Sequence, residues 1–344
     1  MRACQYVEIG APPRVVEVPT PLPGPGQVLL KVTAAGACHS DEFVMSLPAE
    51  HYAYGLPLTL GHEGAGQIAE LGEGVSGWEV GESVLVYGPW GCGSCHACAQ
   101  GKENYCRYAA ERGIAPPGLG RPGAMAEYLV VDSPRHLVPL GDLDPVANVA
   151  LTDAGLTPYH AIKPSLPKLV PGRVAVVIGA GGLGHMGVQI VKAMSSAIVV
   201  ALDLREDARQ LALDVGADYA LPSDESAIEE VKRISGGLGA TAVFDFVGAD
   251  ATLNLAGKMV HFESDLVVVG LGGGSIPVGF FRPAWETRVW APYWGSRPEL
   301  EEVLDLARVG AIHVETESFS LDNAPDVYER MHAGTLRGRG IVVP

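Results

Sequence analysis

Basic residues are scarce in this sequence relative to acidic ones. Its 344 residues include 24 Lys and Arg against 40 Asp and Glu, so the formal net charge at pH 7 is -16. Grooves that bind nucleic acid and surfaces that bind anionic membranes need clustered Lys and Arg. We therefore expect neither a nucleic-acid partner nor a membrane partner, and we interpret the negative charge as an aid to solubility.

Long apolar segments are also missing. The sequence contains no run of about 18 apolar residues, the length that a transmembrane helix needs. Residues 1–6 (MRACQY) have neither the apolar run nor the small-residue cleavage site of a secretory signal peptide. No internal repeat and no low-complexity segment is present. From these absences we expect a cytoplasmic protein.

The length and the residue patterns predict two domains. A chain of 344 residues exceeds the size of about 250 to 300 residues at which single cores stop growing. Residues 1–150 form short alternating apolar and polar stretches, such as 28–32 (VLLKV), separated by Pro/Gly-rich turns such as 21–26 (PLPGPG). This first region is predicted to be a body of short β-strands.

From about residue 155 the pattern changes to continuous apolar runs that alternate with helical stretches. The run 174–178 (VAVVI) precedes a helical stretch at 184–194, and later runs lie at 197–202, 242–247 and 266–269. Continuous Val, Ile and Leu runs are typical of parallel strands that are buried on both faces, with helices as crossovers. The sequence therefore predicts an α/β fold with a doubly wound parallel sheet.

The segment 179–184 (GAGGLG) follows the strand at 174–178 directly and opens a helix, the context in which GxGxxG predicts dinucleotide binding. Gly179 allows the tight turn, Gly181 lets the backbone approach the pyrophosphate, and Gly184 lets the helix lie close to the strand. Asp203 ends the next apolar run, where a carboxylate favours NAD over NADP, although Arg205 could weaken that preference. The alternative is a glycine turn without a ligand.

Two separated residues indicate a metal site. Cys38 lies in the segment 36–41 (GACHSD) and His62 in the segment 61–66 (GHEGAG). A thiolate and an imidazole suit Zn²⁺, but two ligands do not complete a tetrahedron. We therefore expect a third protein ligand and one open coordination position.

The six cysteines are too many for that site alone. Four of them, Cys92, Cys95, Cys98 and Cys106, have the spacing C-x2-C-x2-C-x7-C. Four thiolates within fifteen residues can surround one Zn²⁺ and leave no open position, so the spacing predicts a structural zinc. The alternatives are an iron–sulfur cluster, which this spacing matches less well, and disulfides, which the expected compartment disfavours.

Taken together, these motifs resemble the zinc-dependent alcohol dehydrogenases of the medium-chain dehydrogenase/reductase family. The resemblance covers nearly the whole chain and includes 23–32 (PGPGQVLLKV) and 337–343 (RGRGIVV) besides the motifs above. The overall pattern of the sequence is similar to that of bacterial NAD-dependent secondary-alcohol dehydrogenases. The resemblance implies a GroES-like β-barrel catalytic domain at 1–154, a Rossmann NAD-binding domain at 155–290, and a C-terminal return to the catalytic domain at 291–344.

The resemblance also implies roles for individual residues. Asp153 takes the place of the third catalytic-zinc ligand beside Cys38 and His62, and Glu63 is able to enter the metal shell. Taken alone, Asp153 would more often be a helix cap or a surface charge. Asp41 is expected to accept a hydrogen bond from His62 and so fix its tautomer. The residues expected to bind cofactor are Gly179, Gly181, Gly182, Leu183, Gly184, Asp203, Arg205, Val247, Val269 and Arg339.

Family resemblance further predicts the chemistry, which is reversible hydride transfer between an alcohol and NAD, with zinc as Lewis acid. Ser40 is expected to take the proton from the alcohol, and the alternative is that it caps a turn. Phe43 stands where relatives often carry a relay histidine, so the proton is expected to pass through the cofactor ribose and then to leave by another route, through His39 or water. The expected substrate pocket, which favours hydrophobic secondary alcohols and ketones over polyols, consists of His39, Phe43, Tyr54, Leu119 and Trp294.

Arg339 matches a pyrophosphate-contacting arginine of the family, and Arg337 could replace it. By resemblance alone we expect a homotetramer with NAD and two zinc ions per chain, and a homodimer is the alternative. The other functions considered are a polyol or primary-alcohol dehydrogenase of the same family and a non-catalytic nucleotide-binding protein.

Overall fold

The computed structural model describes all 344 residues and divides them into two compact units. The first unit consists of Met1–Asp153, Ser296–Arg308 and His313–Pro344. The second unit consists of Ala154–Gly295 and Val309–Ile312. The C-terminal part of the chain is therefore built almost entirely into the first unit.

The chain forms sixteen β-strands. They are β1 (Arg2–Tyr6), β2 (Arg14–Glu17), β3 (Val28–Gly36), β4 (Leu58–Thr59), β5 (Glu63–Leu71), β6 (Ser83–Val86), β7 (Tyr128–Val131), β8 (Leu137–Pro139), β9 (Val174–Ile178), β10 (Ile198–Asp203), β11 (Tyr219–Pro222), β12 (Ala240–Asp245), β13 (Val260–Val268), β14 (Arg288–Trp290), β15 (Thr316–Ser320) and β16 (Arg339–Val343).

Nine α-helices accompany the strands. They are α1 (His39–Ser46), α2 (Pro145–Asn148), α3 (Leu156–Ile162), α4 (Gly184–Met194), α5 (Glu206–Asp214), α6 (Ser226–Ile234), α7 (Asp250–Met259), α8 (Arg297–Arg308) and α9 (Ala324–His332). None of them combines the length and the apolar character that crossing a membrane requires.

The first unit is built on short, mostly antiparallel strands. One sheet has the order β15-β16-β3-β5-β6-β8, with β7 also paired to β3, and a second has the order β2-β1-β4. The strand β3 is central because it pairs with β5, β7 and β16, and its residues Val28, Leu30 and Val32 are buried in the core. The expected body of short strands is confirmed.

The helix α1 was not expected in this β-rich region. Its eight residues are too few to display a helical period in the sequence. The helix begins directly after Cys38, and the Asp41 carboxylate accepts a hydrogen bond from the Cys38 backbone N–H at 3.1 Å. This bond satisfies one of the donors at the helix start, so a site residue also stabilises the local fold.

The second unit contains the expected parallel sheet. Its strand order is β11-β10-β9-β12-β13-β14, and every pairing is parallel. All five residues of β9 are buried, as a continuous apolar run predicts. The order reverses direction between β9 and β12, the topological switch point at which doubly wound sheets bind ligands.

The bounds of the second-unit elements agree with the sequence in part, since β10 is displaced by one residue from the run 197–202 and β12 by two residues from the run 242–247. Both β9 and α4 have the predicted bounds. In contrast, β13 begins at Val260, six residues before the predicted start at Leu266. Its first half includes the exposed Phe262 and Glu263, and polar residues there conceal the strand from a search for apolar runs.

Candidate active site

Four potential metal ligands of the first unit meet in its interior. Cys38, His62, Glu63 and Asp153 are all buried, and their ligand atoms all lie within 4.8 Å of one another. The Asp153 Oδ2 atom is 3.3 Å from Cys38 Sγ and 3.7 Å from His62 Nε2. Atoms bound to one tetrahedral zinc at about 2.0 to 2.3 Å lie about 3.3 to 3.8 Å apart. The cluster therefore fits a zinc ion, and it brings Asp153 to the two ligands that the motifs indicate.

Adjacent strands bring these side chains together. Cys38 follows β3, whereas His62 and Glu63 stand at the start of β5, and Gly36 of β3 is the register partner of Glu63. A Cβ atom at Gly36 would overlap the Glu63 carboxylate, so only glycine leaves room for it. Asp153 follows a 3₁₀ turn at Val149–Thr152.

Asp41 sets the orientation of His62. Its carboxylate is fully buried, and its Oδ1 atom lies 3.1 Å from His62 Nδ1. An acceptor at this position keeps the proton on Nδ1 and leaves Nε2, the nitrogen that faces Asp153, as a metal ligand. This is the contact that the family resemblance implies.

Arg339 lies in the same buried cluster. Its guanidinium Nη2 donates hydrogen bonds to Asp153 Oδ2 at 2.9 Å and to Glu63 Oε1, and only 2% of the side chain is exposed. Burial raises the pKa of Glu63 to about 7, even though Arg339 acts to lower it. Sequence reasoning missed the contacts of Arg339 with Asp153 and Glu63.

The pyrophosphate contact expected of Arg339 stays a prediction. The alternative residue, Arg337, lies 3.9 Å from Glu315, and about half of its side chain is exposed.

Residues of α1 lie next to the metal ligands. The Ser40 Oγ atom is 3.7 Å from Cys38 Sγ. Asp41, not Ser40, bonds the Cys38 N–H at the helix start, and the role of Ser40 stays a prediction. His39 lies 3.6 Å from Glu42, and Phe43 is 45% exposed.

Of the other expected pocket residues, two belong to the first unit and one belongs to the second. In the first unit, Tyr54 and Leu119 are partly buried against the core, and the Tyr54 ring contacts Tyr52 edge to face at 5.8 Å. In the second unit, Trp294 is buried, and its ring contacts Tyr293 edge to face at 6.3 Å. Their role in substrate binding stays a prediction.

The four-cysteine loop forms a second metal cluster in the first unit. The Sγ atoms of Cys92, Cys95, Cys98 and Cys106 lie within 4.8 Å of one another, and none of the cysteines is in a disulfide. The Sγ–Sγ distance is 3.4 Å from Cys95 to Cys98 and 3.9 Å from Cys92 to Cys98. These distances match a tetrahedron of thiolates around zinc, in which sulfurs about 2.3 Å from the metal lie about 3.8 Å apart.

Hydrogen bonds stabilise this loop. A bond from the Ser94 backbone is the main cause that lowers the pKa of Cys92 to about 6, which favours the thiolate that zinc requires. Arg135 donates to the Cys98 carbonyl at 2.9 Å and to the buried Glu103 carboxylate. Arg135 and Glu103 were not singled out in the sequence, because nothing in their spacing ties them to the cysteines.

The glycine loop of the second unit has the geometry of a phosphate cradle. Gly179 has φ +83°, a value that favours glycine, and a Cβ atom at Gly184 would overlap the Gly179 carbonyl oxygen. A Cβ at Gly181 would meet nothing within 4 Å, so the loop is open there. Gly182 and Leu183 complete the turn before α4 begins. These features fit a pyrophosphate at the start of α4.

Asp203 is fixed beside this loop at the end of β10. Its Oδ2 atom accepts a hydrogen bond from the Ala180 N–H at 2.9 Å, and Oδ1 accepts from the Arg205 N–H at 2.9 Å. The Arg205 guanidinium lies 3.3 Å from Asp207. Val247 borders the loop, since its side chain would contact a Cβ at Gly179, and the Val269 N–H bonds the Asp245 carbonyl at 2.8 Å.

Comparison with known proteins shows the family of this chain. The model of the alcohol dehydrogenase GroES-like domain matches residues 24–142, and that of the zinc-binding dehydrogenase domain matches residues 182–308. An NAD-dependent alcohol dehydrogenase of Sulfurisphaera tokodaii is 35% identical, with 100% of both chains covered. Among solved structures, the alcohol dehydrogenase of Aeropyrum pernix is 32% identical, covers 100% of each chain and has a TM-score of 0.91.

Another solved structure is acetophenone reductase from Geotrichum candidum in complex with NAD. It is 31% identical, its TM-score is 0.86, and the match covers 100% of this chain and 97% of that one. The chain belongs to the zinc-dependent alcohol dehydrogenases of the medium-chain dehydrogenase/reductase family. It is an enzyme that catalyses the reversible NAD-dependent oxidation of alcohols, with zinc as its metal, and the expected GroES-like and Rossmann folds are confirmed.

Proposed function

We propose that the enzyme interconverts hydrophobic secondary alcohols and ketones, and that Cys38, His62 and Asp153 hold its catalytic zinc. The observation that carries the proposal is the buried cluster in which Asp153 lies within 3.3 Å of Cys38 and 3.7 Å of His62. We also propose that the first unit is the catalytic domain and the second the NAD-binding domain.

In the proposed site each protein group has a distinct role. A bound zinc supplies Lewis acidity that makes the substrate hydroxyl more acidic. Asp41 keeps the proton of His62 on Nδ1, and Arg339 balances the charge of Glu63 and Asp153. Glu63 is the reserve ligand, and burial raises its pKa although Arg339 acts to lower it.

Zinc content tests this ligand set. We expect Cys38→Ser to lose one of two zinc ions per chain, and Asp153→Asn to bind that zinc more weakly. Asp153→Cys is the matched control, because a thiolate is also a zinc ligand and should retain the ion. Two zinc ions per chain in Cys38→Ser, measured by elemental analysis, would refute the assignment.

The proposed proton acceptor is Ser40. Its Oγ atom is 3.7 Å from the thiol of a proposed zinc ligand, and His39, on the same helix with a mostly exposed side chain, can pass a proton to solvent. Ser40→Ala should lower kcat by about 100-fold or more, within the range typical of acid–base groups. Zinc content should not change. Ser46→Ala, at the end of the same helix, is the control, and equal kcat values for the two variants would remove Ser40 from the mechanism.

The substrate class rests on the character of the expected pocket residues and on one relative. Phe43, Tyr54, Leu119 and Trp294 offer apolar and aromatic surface, whereas a polyol would need buried polar partners. Acetophenone, the substrate in the name of the Geotrichum relative, is a hydrophobic ketone. We expect kcat/KM for a medium-chain 2-alkanol to exceed that for sorbitol and ethanol at least 10-fold. A preference for sorbitol would favour the polyol alternative.

We further propose that the protein is a homo-oligomer. The side chains of Phe262, Phe280, Phe281 and Trp285 contact one another and are 51% to 79% exposed. At about 150 to 250 Å² per aromatic side chain they leave roughly 400 to 670 Å² in solvent. This area reaches the upper end of the range for the largest apolar patch of a monomer, roughly 300 to 600 Å². The sheet of the second unit also ends in an unpaired edge at β14. Light scattering should give a tetramer, with a dimer as the alternative, and a monomer would refute this proposal.

We also propose that the protein is cytoplasmic. All six cysteines are free thiols, and four of them form the proposed structural zinc site. A reducing compartment keeps such thiols available for metal. Fractionation of cells that express a tagged chain would test the location.

A further inference from the structure

One buried tyrosine joins the metal cluster from a distant part of the sequence. Tyr328 lies on α9, and its hydroxyl donates a hydrogen bond to Asp41 Oδ2 at 3.1 Å across 287 residues of sequence. Only 5% of Tyr328 and none of Asp41 is exposed. Because both partners are buried, the bond lies in an environment of low dielectric constant, in which a hydrogen bond is stronger than at the surface.

The bond determines how the Asp41 carboxylate is used. Its Oδ2 atom accepts from the Tyr328 hydroxyl and from the Cys38 N–H, both at 3.1 Å. Its Oδ1 atom remains for His62 Nδ1, also at 3.1 Å. The Tyr328 hydroxyl also lies 3.1 Å from the sulfur of Met125, but a carboxylate is a much stronger acceptor than a thioether. The single hydroxyl proton therefore belongs to Asp41.

We infer that Tyr328 is a positioning residue for the catalytic zinc, acting through Asp41 on His62. Two donors fixed on Oδ2 prevent the carboxylate from rotating, so Oδ1 is held towards His62 and His62 Nε2 towards the metal cluster. The inference rests on the proposed ligand set. Removal of a partner of a metal ligand typically weakens metal binding by 10-fold to 100-fold. Tyr328 bonds Asp41 and not the ligand His62 itself, so we expect loss of its hydroxyl to weaken zinc binding by about 10-fold, the lower end of this range.

The test is the rate at which zinc leaves the purified enzyme in excess chelator. Tyr328→Phe removes the hydroxyl and keeps the ring. The matched control is Tyr6→Phe, because Tyr6 is fully buried in the same core and donates to a backbone oxygen, that of Met45, at 3.0 Å. We expect the catalytic zinc to leave about 10-fold faster from Tyr328→Phe than from Tyr6→Phe or the wild type. Release of the four-cysteine zinc should be the same in all three proteins.

A second measurement separates positioning from packing. In an Asp41→Ala background, Tyr328 has no carboxylate to hold, so adding Tyr328→Phe should not accelerate zinc release further. An equal acceleration in both backgrounds would overturn the inference, as would a rate in Tyr328→Phe equal to that of the Tyr6→Phe control. Faster release of both zinc ions from Tyr328→Phe would also overturn it, because general loosening of the core would then be the cause.

A failure of the inference about Tyr328 can be distinguished from a failure of the proposed ligand set. If Cys38→Ser retains two zinc ions, the ligand assignment is wrong whatever Tyr328 does. If Cys38→Ser loses one zinc ion and Tyr328→Phe behaves like the control, the ligand set stands and only the role of Tyr328 is refuted.

Discussion

The buried position of Arg339 allows a quantitative prediction. Its guanidinium forms ion pairs with two buried carboxylates, those of Glu63 and Asp153, and only 2% of the Arg339 side chain is exposed. Arg339→Met would keep much of the side-chain volume but remove the guanidinium donor from both carboxylates. Glu63 Oε2 already lacks a hydrogen-bond partner, so little can compensate on that residue. Breaking a buried ion pair in this way costs about 3 to 5 kcal/mol.

The matched control is Arg2→Met. Arg2 also contacts two carboxylates, those of Glu127 at 3.2 Å and Asp322 at 2.9 Å, but 42% of its side chain is exposed. Ion pairs in solvent contribute little to stability. The same substitution therefore removes the same number of ion pairs, and only the burial of the pairs differs.

Urea unfolding in the presence of a chelator measures the effect. We expect Arg339→Met to lower the free energy of unfolding by about 3 to 5 kcal/mol, and Arg2→Met to change it much less. Saturating zinc should restore part of the loss in Arg339→Met, because the metal offers a second positive charge to the same carboxylates. Equal unfolding midpoints for the two variants would refute the argument from burial.

Three further predictions concern separate parts of the molecule. Gly184→Ala should lower both NAD affinity and thermal stability, because its Cβ would overlap the Gly179 carbonyl oxygen. Gly181→Ala should lower NAD affinity alone, because a Cβ there would face open space. Calorimetric titration measures the NAD affinity, and melting curves measure the thermal stability. Cys98→Ser should remove the structural zinc and leave the catalytic zinc in place, as measured by elemental analysis. Burial lowers the pKa of His136 to about 3. Because this folded-state pKa lies below the usual value of 6.5, the contribution of neutral His136 to the free energy of unfolding is fully present above pH 6.5. The contribution is lost as the pH falls towards 3, and the loss is about 2 kcal/mol at pH 5. In His136→Phe this part of the pH dependence of unfolding should be absent.

Each of these has an outcome that contradicts it. Unchanged NAD affinity in Gly184→Ala would show that the loop does not hold the cofactor. Loss of both zinc ions from Cys98→Ser would mean that the two metal clusters are not independent. A wild-type pH profile in His136→Phe would show that this histidine is not the source of the acid sensitivity.

Local patterns explain which features the sequence predicts well. The bounds of β9 and α4 follow from an apolar run, a glycine turn and a helical period within twenty-one consecutive residues, 174–194. The four-cysteine cluster is likewise confined to fifteen residues, 92–106. In both regions neighbouring residues determine the geometry, so spacing alone is informative.

The site features that sequence reasoning missed depend on distant contacts. Arg339 reaches Glu63 across 276 residues and Tyr328 reaches Asp41 across 287, and no periodicity encodes such pairs. The helix α1 was missed because eight residues are too few to display a period. Family resemblance supplied Asp153 as a ligand, but it gave Arg339 a cofactor contact and did not reveal its two carboxylate partners.

The contacts of Tyr328 and Arg339 have a thermodynamic consequence. Both residues belong to the segment His313–Pro344, and both bond groups that surround the metal ligands. If docking of this segment orders the ligands, metal binding must stabilise the docked segment by the same free energy, since linkage is reciprocal. Removal of the catalytic zinc should therefore speed hydrogen exchange in α9 and β16 although neither element contains a ligand. The last strand of the first unit would then report metal occupancy of a site whose ligands precede it by more than 180 residues.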